Sequence, residues 1–305
     1  MKEAVAFKNG RFIPASECTI SVYDMGITNS ASVTDFTRTF NMMPFRVKDH
    51  AERIYRSCKN NYIKPVISCD ETIEITKQLV ESNKDVFPER ELGIIYYITA
   101  GENPVYAGSA GKSDRLTSTY VQHVFPLPFY LWKNLYTEGA RMITPPTLHL
   151  PPQCVSSKGK HRNRLHMWVG DKQVQMMDPG AIGLYLDLYG NITETGGANF
   201  LIYKDGKVVS PRSRNILWGI SLQVVTELLS EMGIPFIQDD ILLFDAVNAD
   251  EAWLTTSPYC IAPVRSINGI EIGSGRNEMW RMILDKWSKL VEKDLYEEIV
   301  SSNPF

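Results

Sequence analysis

The sequence has 305 residues, of which 44% are hydrophobic and 22% charged, and its formal net charge is −3. A chain of this length can bury a large core, so neither a metal nor a disulfide is needed to hold the fold together. The small net charge gives no reason to expect nucleic acid or an anionic membrane as the main partner. Uncharged apolar runs fall short of the roughly 18 residues of a membrane span, and we expect no signal peptide.

Five cysteines are widely spaced, form no CxxC pair and are odd in number. Reduced thiols in a cytoplasmic protein fit this pattern better than a disulfide framework does. The five histidines include no HExxH motif and no i,i+4 pair. We therefore expect no metal site.

The first part of the chain predicts a hairpin followed by mixed strands and helices. Asn9-Gly10 is a strong two-residue turn signal between short apolar segments. Asp70 has the character of a helix N-cap. We expect strands at 4–7, 11–14, 32–40 and 92–100, and helices at about 48–60 and 70–83.

Prolines mark the best candidate for a linker. The two prolines of Pro126-Leu127-Pro128 favour an extended connection. This predicts domains at 1–125 and 129–305, joined by 126–128. The second part predicts strands at 182–187, 192–193, 199–203, 208–210, 251–256 and 264–267, and helices at about 163–175, 221–232 and 277–298. Because strands and helices do not alternate regularly, we predict an α+β fold.

Basic residues are concentrated in one short segment, Lys158-Gly159-Lys160-His161-Arg162-Asn163-Arg164-Leu165. One interpretation is a solvated basic loop. The other is a site that faces an anion and contains a nucleophilic lysine, because neighbouring cations lower the pKa of a lysine and activate it.

Three later segments suit the binding of a ligand, although each can also be an ordinary turn or cap. Glu194 begins a stretch of small residues that ends at Phe200 and allows close backbone approach. Gly219-Ile220-Ser221 leads into a predicted helix, whose free N–H groups suit a phosphate. Thr255-Thr256-Ser257-Pro258 supplies hydroxyl groups at the end of a predicted strand.

The order of these segments resembles the fold-type IV pyridoxal-phosphate (PLP) enzymes over nearly the whole chain. That group comprises branched-chain aminotransferases, D-amino-acid aminotransferases and aminodeoxychorismate lyases. The resemblance includes Asp24-x-Gly26, the strand with Asp35 and Arg38, and the helix segment His50-Ala51-Glu52-Arg53-Ile54 with Ser57. It implies a two-domain α+β fold, similar to D-amino-acid aminotransferase, with PLP in the cleft between the domains.

The resemblance also implies roles for individual residues. Lys160 holds PLP as a Schiff base and moves the substrate proton; Lys158 is the alternative, but only Lys160 places Asn163 and Leu165 in the family register. Glu194 pairs with the pyridine nitrogen, since a protonated ring is the better electron sink. Arg53 binds the phosphate. The other implied cofactor ligands are Asn199, Leu217, Gly219, Ile220, Ser221, Thr256 and Ser257.

The substrate half departs from the family pattern. Thr34 and Asp35 stand where many relatives carry an aromatic residue and a glutamate. The Arg and His with which D-amino-acid aminotransferases bind the substrate carboxylate are absent from Ala100–Ala107. Pro258 removes one N–H from the turn that branched-chain enzymes use for this purpose. The candidate substrate residues are Thr34, Arg38, Tyr97, Arg162 and Arg164.

We therefore predict an aminotransferase that moves an amino group between an amino acid and a 2-oxo acid and is nearest to the branched-chain type. An aminodeoxychorismate lyase-type enzyme that eliminates pyruvate, or a non-catalytic PLP-binding protein, is the alternative. The expected partners are small-molecule substrates and a second copy of the chain, in a cytoplasmic homodimer without nucleic acid or membrane.

Overall fold

The computed structural model describes residues 3–103 and 116–304, which form two compact units. The N-terminal unit consists of Met1–Leu127 and Gly159–Asn163, and the C-terminal unit of Pro128–Lys158 and Arg164–Phe305. The end of the substrate loop compared above, Pro104–Ala107, lies outside the described residues. Both units mix helices with a sheet, as the predicted α+β class requires.

The N-terminal unit is built on a six-stranded antiparallel sheet with the strand order β2-β1-β6-β5-β3-β4. Asn9 and Gly10 make the predicted turn between the first two strands, both with positive φ. The strands are β1 (Val5–Lys8), β2 (Arg11–Pro14), β3 (Ser32–Phe40), β4 (Met43–Pro44), β5 (Leu92–Thr99) and β6 (Tyr120–Pro126).

Two helices cover one face of this sheet, and a short helix, α1 (Met25–Thr28), precedes β3. Helix α2 (Val47–Asn60) and helix α3 (Cys69–Asn83) pack apolar side chains such as Ile54 and Leu79 into the core. The N-cap of α3 is Ser68 rather than the expected Asp70. The Ser68 hydroxyl accepts from Glu71 N, and the Glu71 carboxylate accepts from Ser68 N. This reciprocal capping box satisfies two N–H groups at once.

The segment Gly159–Asn163, which contains Lys160, belongs to the N-terminal unit, whereas the sequence analysis assigned it to 129–305. Its backbone pairs with the start of β3: Thr34 N donates to Lys160 O at 2.9 Å, and Arg162 N donates to Ser32 O at 3.3 Å. The residues that flank Lys160 in the sequence give no indication that its backbone pairs with β3.

The C-terminal unit contains a nine-stranded mixed sheet. Six of its strands close into a ring in the order β10-β13-β14-β7-β8-β9, because Asn199 on β10 pairs with Glu194 on β9. The strands are β7 (Ala140–Ile143), β8 (Ile182–Leu186), β9 (Ile192–Thr195), β10 (Asn199–Lys204), β11 (Lys207–Pro211), β12 (Phe236–Asp239), β13 (Glu251–Thr256), β14 (Cys260–Ile267) and β15 (Ile270–Glu271).

Six helices accompany this sheet: α4 (Lys133–Thr137), α5 (Leu165–Met177), α6 (Ile220–Glu231), α7 (Leu243–Val247), α8 (Glu278–Leu290) and α9 (Leu295–Val300). The last two were predicted as one long helix. Glu292 adopts a left-handed conformation (φ 52°), and Asp294 then caps α9 by accepting from Glu297 N at 3.0 Å. The prediction was wrong here because amphipathic spacing continues across the break, while a left-handed residue cannot continue a helix.

None of the helices in the described ranges combines the length and the apolar character needed to cross a membrane.

Candidate active site

The residues implied for the cofactor and the side chains that contact them form clusters in both units. We call Asp35, His50, Arg53, Ser57 and Lys160 the lysine group. We call His149, Glu194, Asn199, Leu217 and Gly219 the glutamate group. Each group is described by itself.

In the lysine group, the backbone of Lys160 is held between β3 and α2. Lys160 N donates to Ser57 Oγ at 3.1 Å, and Lys160 O accepts from Thr34 N at 2.9 Å. Ser57 is buried and also donates to Arg53 O at 2.9 Å. Lys160 is half-buried, whereas Lys158 is exposed. The partial burial of Lys160 is what an activated lysine requires.

Beside Lys160, Arg53 forms a two-pronged ion pair with Asp35. Arg53 Nε donates to Asp35 Oδ2 at 2.8 Å, and Arg53 Nη2 donates to Oδ1 at 2.7 Å. His50 Nδ1 lies 2.7 Å from the same Oδ1. All three side chains are buried. Asp35 stands where many relatives carry a glutamate, and its shorter side chain still reaches Arg53.

Charge and burial set the protonation states of this cluster. Burial alone would raise the pKa of Asp35, but the charges of Arg53 and His50 and their hydrogen bonds hold that pKa below its usual value. Burial lowers the pKa of His50, and the positive charges of Arg53 and Lys160 lower it further. The negative charge of Asp35 acts in the opposite direction. At neutral pH we expect an ionised Asp35, a neutral His50 and a cationic Arg53.

The substrate candidates of the N-terminal unit differ in exposure. Arg38 is 1% exposed; its Nε donates to Thr39 O at 2.9 Å, and its guanidinium lies 4.0 Å from the centre of the Phe40 ring. Arg38 is therefore the least accessible of the three arginine candidates, since Arg162 is exposed and Arg164 is half-buried. Thr34 is also buried, and its hydroxyl donates to Tyr96 O at 2.8 Å.

Two other candidates in this unit lie next to each other. The exposed guanidinium of Arg162 stands 5.9 Å from the centre of the half-buried Tyr97 ring. This distance permits a cation–π contact. Arg164 lies in the C-terminal unit, where its guanidinium donates to Gly196 O.

The glutamate group is centred on Glu194, whose side chain is 12% exposed. Its Oε2 accepts two hydrogen bonds of 3.1 Å, from Asn199 Nδ2 and from Leu217 N. Asn199 Nδ2 also donates to Leu217 O at 2.8 Å. Glu194 Oε1 faces His149 Nε2 at 3.6 Å. The carboxylate is therefore fixed in orientation by one oxygen.

Helix α6 begins directly after this cluster. Its N-cap is Gly219, which provides no side-chain cap, so the first-turn N–H groups of Ile220 and Ser221 are oriented for an anion. A Cβ on Gly219 would stand 2.3 Å from Asn199 Oδ1. The glycine is therefore required by the close approach of Asn199 and not by an unusual φ.

The hydroxyl segment lies in the turn between β13 and β14. Thr256 Oγ1 donates to Gly197 O at 2.7 Å and so joins this turn to the turn between β9 and β10. Ser257 follows it and is half-buried.

One residue of the glutamate group was missed by the sequence analysis. His149 lies in the proline-rich segment between Pro145 and Pro152, which matches none of the motifs used. It is 7% exposed, and only the fold brings it to Glu194. No signal in the sequence could have identified it.

The donors and acceptors present fit the cofactor that the resemblance implies. A half-buried lysine suits an aldehyde, Arg53 and the start of α6 suit a phosphate, and Glu194 suits a basic ring nitrogen. Gly219 lets Asn199 approach the start of α6, and Asn199 in turn donates to Glu194.

Comparisons with known proteins give one family. Residues 32–267 match the family model described as amino-transferase class IV. The D-alanine aminotransferase of Bacillus licheniformis is 26% identical over 269 residues, which cover 88% of this chain and 89% of that protein. The branched-chain amino acid aminotransferase of Escherichia coli has a TM-score of 0.85 at 23% identity, with 95% of each chain covered. The branched-chain amino acid aminotransferase of Thermoproteus uzoniensis with norvaline has a TM-score of 0.84 at 19% identity, with 98% of each chain covered.

Proposed function

We infer the function from one premise: this chain belongs to the amino-transferase class IV family, whose enzymes use PLP. It is an aminotransferase, and we propose that its amino donors are branched-chain amino acids. Both branched-chain and D-alanine aminotransferases are among the similar proteins. The branched-chain type is favoured because the sequence of the segment after β5, Ala100–Ala107, carries no Arg or His.

The observation that carries the proposal for the site is the fixed carboxylate of Glu194, next to the N-terminus of α6. When bound, PLP supplies an electron sink for the charge that develops at the substrate Cα. We propose that Glu194 Oε1 holds a proton on the ring nitrogen, while Asn199 and Leu217 N keep the carboxylate oriented. The N–H groups of Ile220 and Ser221 would bind the phosphate, together with the hydroxyl groups of Thr256 and Ser257.

We propose that Lys160 Nζ would hold the cofactor covalently and would carry the proton that leaves the substrate Cα. The choice of Lys160 is supported by its half-buried position, whereas Lys158 is exposed. The phosphate would also contact Arg53, whose orientation is fixed by Asp35. Because Arg38 is buried and Arg164 donates to Gly196 O, we propose Arg162, beside Tyr97, for the substrate carboxylate.

The test of the reaction uses purified holoenzyme and one amino acid at a time. A transaminase given leucine, isoleucine or valine alone must convert its bound cofactor to the pyridoxamine form and release one equivalent of 2-oxo acid. D-Alanine is the matched comparison for the other type. Release of pyruvate from aminodeoxychorismate without an acceptor, and with no half-reaction on any amino acid, would instead establish the lyase alternative. Loss of both reactions in a protein that holds PLP would establish the non-catalytic alternative.

The test of the lysine uses borohydride reduction followed by peptide mass spectrometry. The label is expected on Lys160, and the Lys160→Ala variant should lose it. The matched control is Lys158→Ala, which should keep the label. A label on Lys158 in the unmodified protein would contradict the assignment.

We also propose that the protein is a cytoplasmic homodimer. Helix α5 exposes apolar side chains, with Leu165 70%, Trp168 61% and Met176 87% exposed. A contiguous exposed apolar face is typical of a protein interface. The free state of all five cysteines is consistent with a reducing compartment. Light scattering should give twice the chain mass, and Trp168→Glu should shift the protein toward the monomer.

A further inference from the structure

His149 is a buried titratable residue beside Glu194 to which the reaction proposed above gives no role. It is 7% exposed, and its Nε2 lies 3.6 Å from Glu194 Oε1. The distance is too long for a hydrogen bond but short for two groups that can carry opposite charges. Its backbone N donates to Leu186 O at 2.9 Å, which anchors the residue to the end of β8.

The backbone fixes which ring nitrogen of His149 can change its protonation. Its Nδ1 lies 3.0 Å from Leu150 O. A carbonyl oxygen only accepts hydrogen bonds, so Nδ1 carries a hydrogen. A neutral His149 therefore presents an unprotonated Nε2 to Glu194, and a charged His149 presents Nε2–H.

The groups on α5 that lie nearest to His149 do not supply a counter-charge. His166 meets His149 edge to face, with ring centres 5.6 Å apart. Burial, then the charges of His149 and Arg164, lower the pKa of His166 to about 4, so His166 is neutral near pH 7. Arg164, at the start of the helix, adds positive charge.

The groups farther away are separated from His149 by the ring of His166. Tyr185 on β8 lies 6.5 Å from His166 between ring centres, and burial raises its pKa well above neutral. Asp171 on α5 accepts from the Tyr185 hydroxyl at 2.8 Å, so its charge is directed to that hydroxyl. Glu194 on β9 is thus the anion that directly faces a protonated His149 among the described residues.

The two oxygens of Glu194 are not equivalent. Oε2 already accepts from Asn199 Nδ2 and from Leu217 N. Oε1 is the oxygen nearest to His149. A cationic ring nitrogen that binds Glu194 must therefore share the carboxylate charge with a protonated His149. The two cations would repel each other, because like charges are poorly screened in the protein interior.

We propose that His149 is a positioning residue for Glu194: it carries a proton on Nε2 while Glu194 has no other cation, and it releases that proton to solvent when a cationic ring nitrogen binds the carboxylate. For each ring cation that Glu194 gains, one Nε2–H bond of His149 breaks and the proton passes to solvent; no other covalent bond changes. His149 thus supplies the counter-charge of Glu194 before the cofactor binds. The proposal rests on the assignment of Glu194 as the partner of the ring nitrogen.

The experiment measures proton release when pyridoxamine 5′-phosphate binds to protein from which the cofactor has been removed. This probe cannot condense with Lys160, so the lysine adds no covalent step. Calorimetry in two buffers of different ionisation enthalpy gives the number of protons released, between about pH 5.5 and about pH 8.5, where imidazoles titrate. We compare the unmodified protein with His149→Gln, and use His166→Gln as the matched control.

When the probe binds near the acidic limit of this pH range, the unmodified protein should release up to one proton more than His149→Gln. Near the basic limit, the two proteins should release the same number of protons. The ratio of the two dissociation constants should change by up to about 10-fold per pH unit across this range. His166→Gln should behave like the unmodified protein. Equal proton release in the unmodified protein and His149→Gln at every pH would overturn the proposal.

Two further measurements keep the outcomes distinct. If His149→Gln does not fold, long-range ¹H–¹⁵N spectra of the unmodified protein should show His149 Nε2 losing its proton as the probe is added; an unchanged Nε2 signal would overturn the proposal. Glu194→Gln should remove the linked proton even with His149 intact. Failure of the probe to bind the unmodified protein would instead contradict the proposed cofactor site.

Discussion

Arg53 and Asp35 form a buried ion pair in which two guanidinium nitrogens meet both carboxylate oxygens, at 2.8 and 2.7 Å. This pair fixes the orientation of Arg53 on α2, and Arg53 O in turn accepts from Ser57, the residue that holds the backbone of Lys160. The ion pair and the backbone of Lys160 are therefore linked through two residues of α2, Arg53 and Ser57.

Replacing Asp35 with Asn should destabilise the protein strongly. The change leaves the buried Arg53 without its counter-charge, which typically costs about 3–5 kcal/mol. The free energy of unfolding in urea measures the loss, and PLP affinity should fall with it. The matched control is Glu52→Gln, which breaks the exposed pairs of α2 with Lys48 and Arg56 and should cost no more than about 1 kcal/mol. Equal losses in the two variants would show that the buried pair has no special role.

The half-buried ring of His166 should make stability depend on pH. An unfolded histidine titrates near ~6.5, and in the folded chain burial and nearby positive charge lower the pKa of His166 to about 4. Its Nε2 is buried and has no hydrogen-bond partner among the described residues. Between these two pH values the unfolded state binds more protons, so the free energy of unfolding should rise with pH and level off above ~6.5.

Urea unfolding at a series of pH values gives this slope. His166→Gln should be less steep than the unmodified protein between about pH 4 and about pH 6.5, by less than the ~1.4 kcal/mol per pH unit of a fully buried group. Other buried histidines such as His50 keep their contribution in both proteins. Parallel curves for the two proteins would contradict the prediction.

Replacing Glu194 with Gln should affect the rate far more than substrate binding. Glutamine keeps the size and one hydrogen-bond acceptor, but it lacks the charge that holds a proton on the ring nitrogen. The loss of one charge-assisted contact typically costs ~2–4 kcal/mol in the transition state, which is roughly 30- to 1,000-fold in kcat. KM should change little, and PLP should remain bound through Lys160 and Arg53. Steady-state kinetics with normal kcat would show that Glu194 is not the partner of the ring.

Replacing Gly219 with Ala should loosen the glutamate group. The new methyl would stand 2.3 Å from Asn199 Oδ1, so Asn199 must move and release one hydrogen bond from Glu194. The loss of a hydrogen bond to a charged group costs about 1.5–3 kcal/mol, so PLP should dissociate about 10-fold more readily or more. Gly197→Ala is the control for unfolding: a Cβ there meets nothing within 4 Å, and the free energy of unfolding should change by less than about 1 kcal/mol.

The sequence predicted much of the fold because the local signals were strong and consistent. The turn at Asn9-Gly10, the strand at Ser32–Phe40 and the apolar strand at Leu92–Thr99 are confirmed. Motif order also identified the family, which the match over residues 32–267 confirms. The roles assigned to individual cofactor residues stay predictions until the experiments above are made.

Features that depend on contacts between distant parts of the chain could not be predicted. A charged residue such as Arg38 is usually exposed, and its burial against Phe40 follows only from the packed unit. His149 lies in a proline-rich segment without periodicity, and only the fold brings it to Glu194. The break after α8 depends on one left-handed residue, Glu292, in a sequence whose amphipathic spacing does not change.

The closed ring of six strands has a consequence for motion around Glu194. Asn199 and Glu194 form the pairing between β9 and β10 that completes the ring, so neither strand has a free edge from which to fray at that point. Strands without open edges exchange their amide hydrogens mainly through global unfolding. We therefore expect the amides of Glu194 and Asn199 to exchange as slowly as the core, whereas the short hairpin of β1 and β2 exchanges by local opening. The carboxylate would thus remain in place for the lifetime of the folded state.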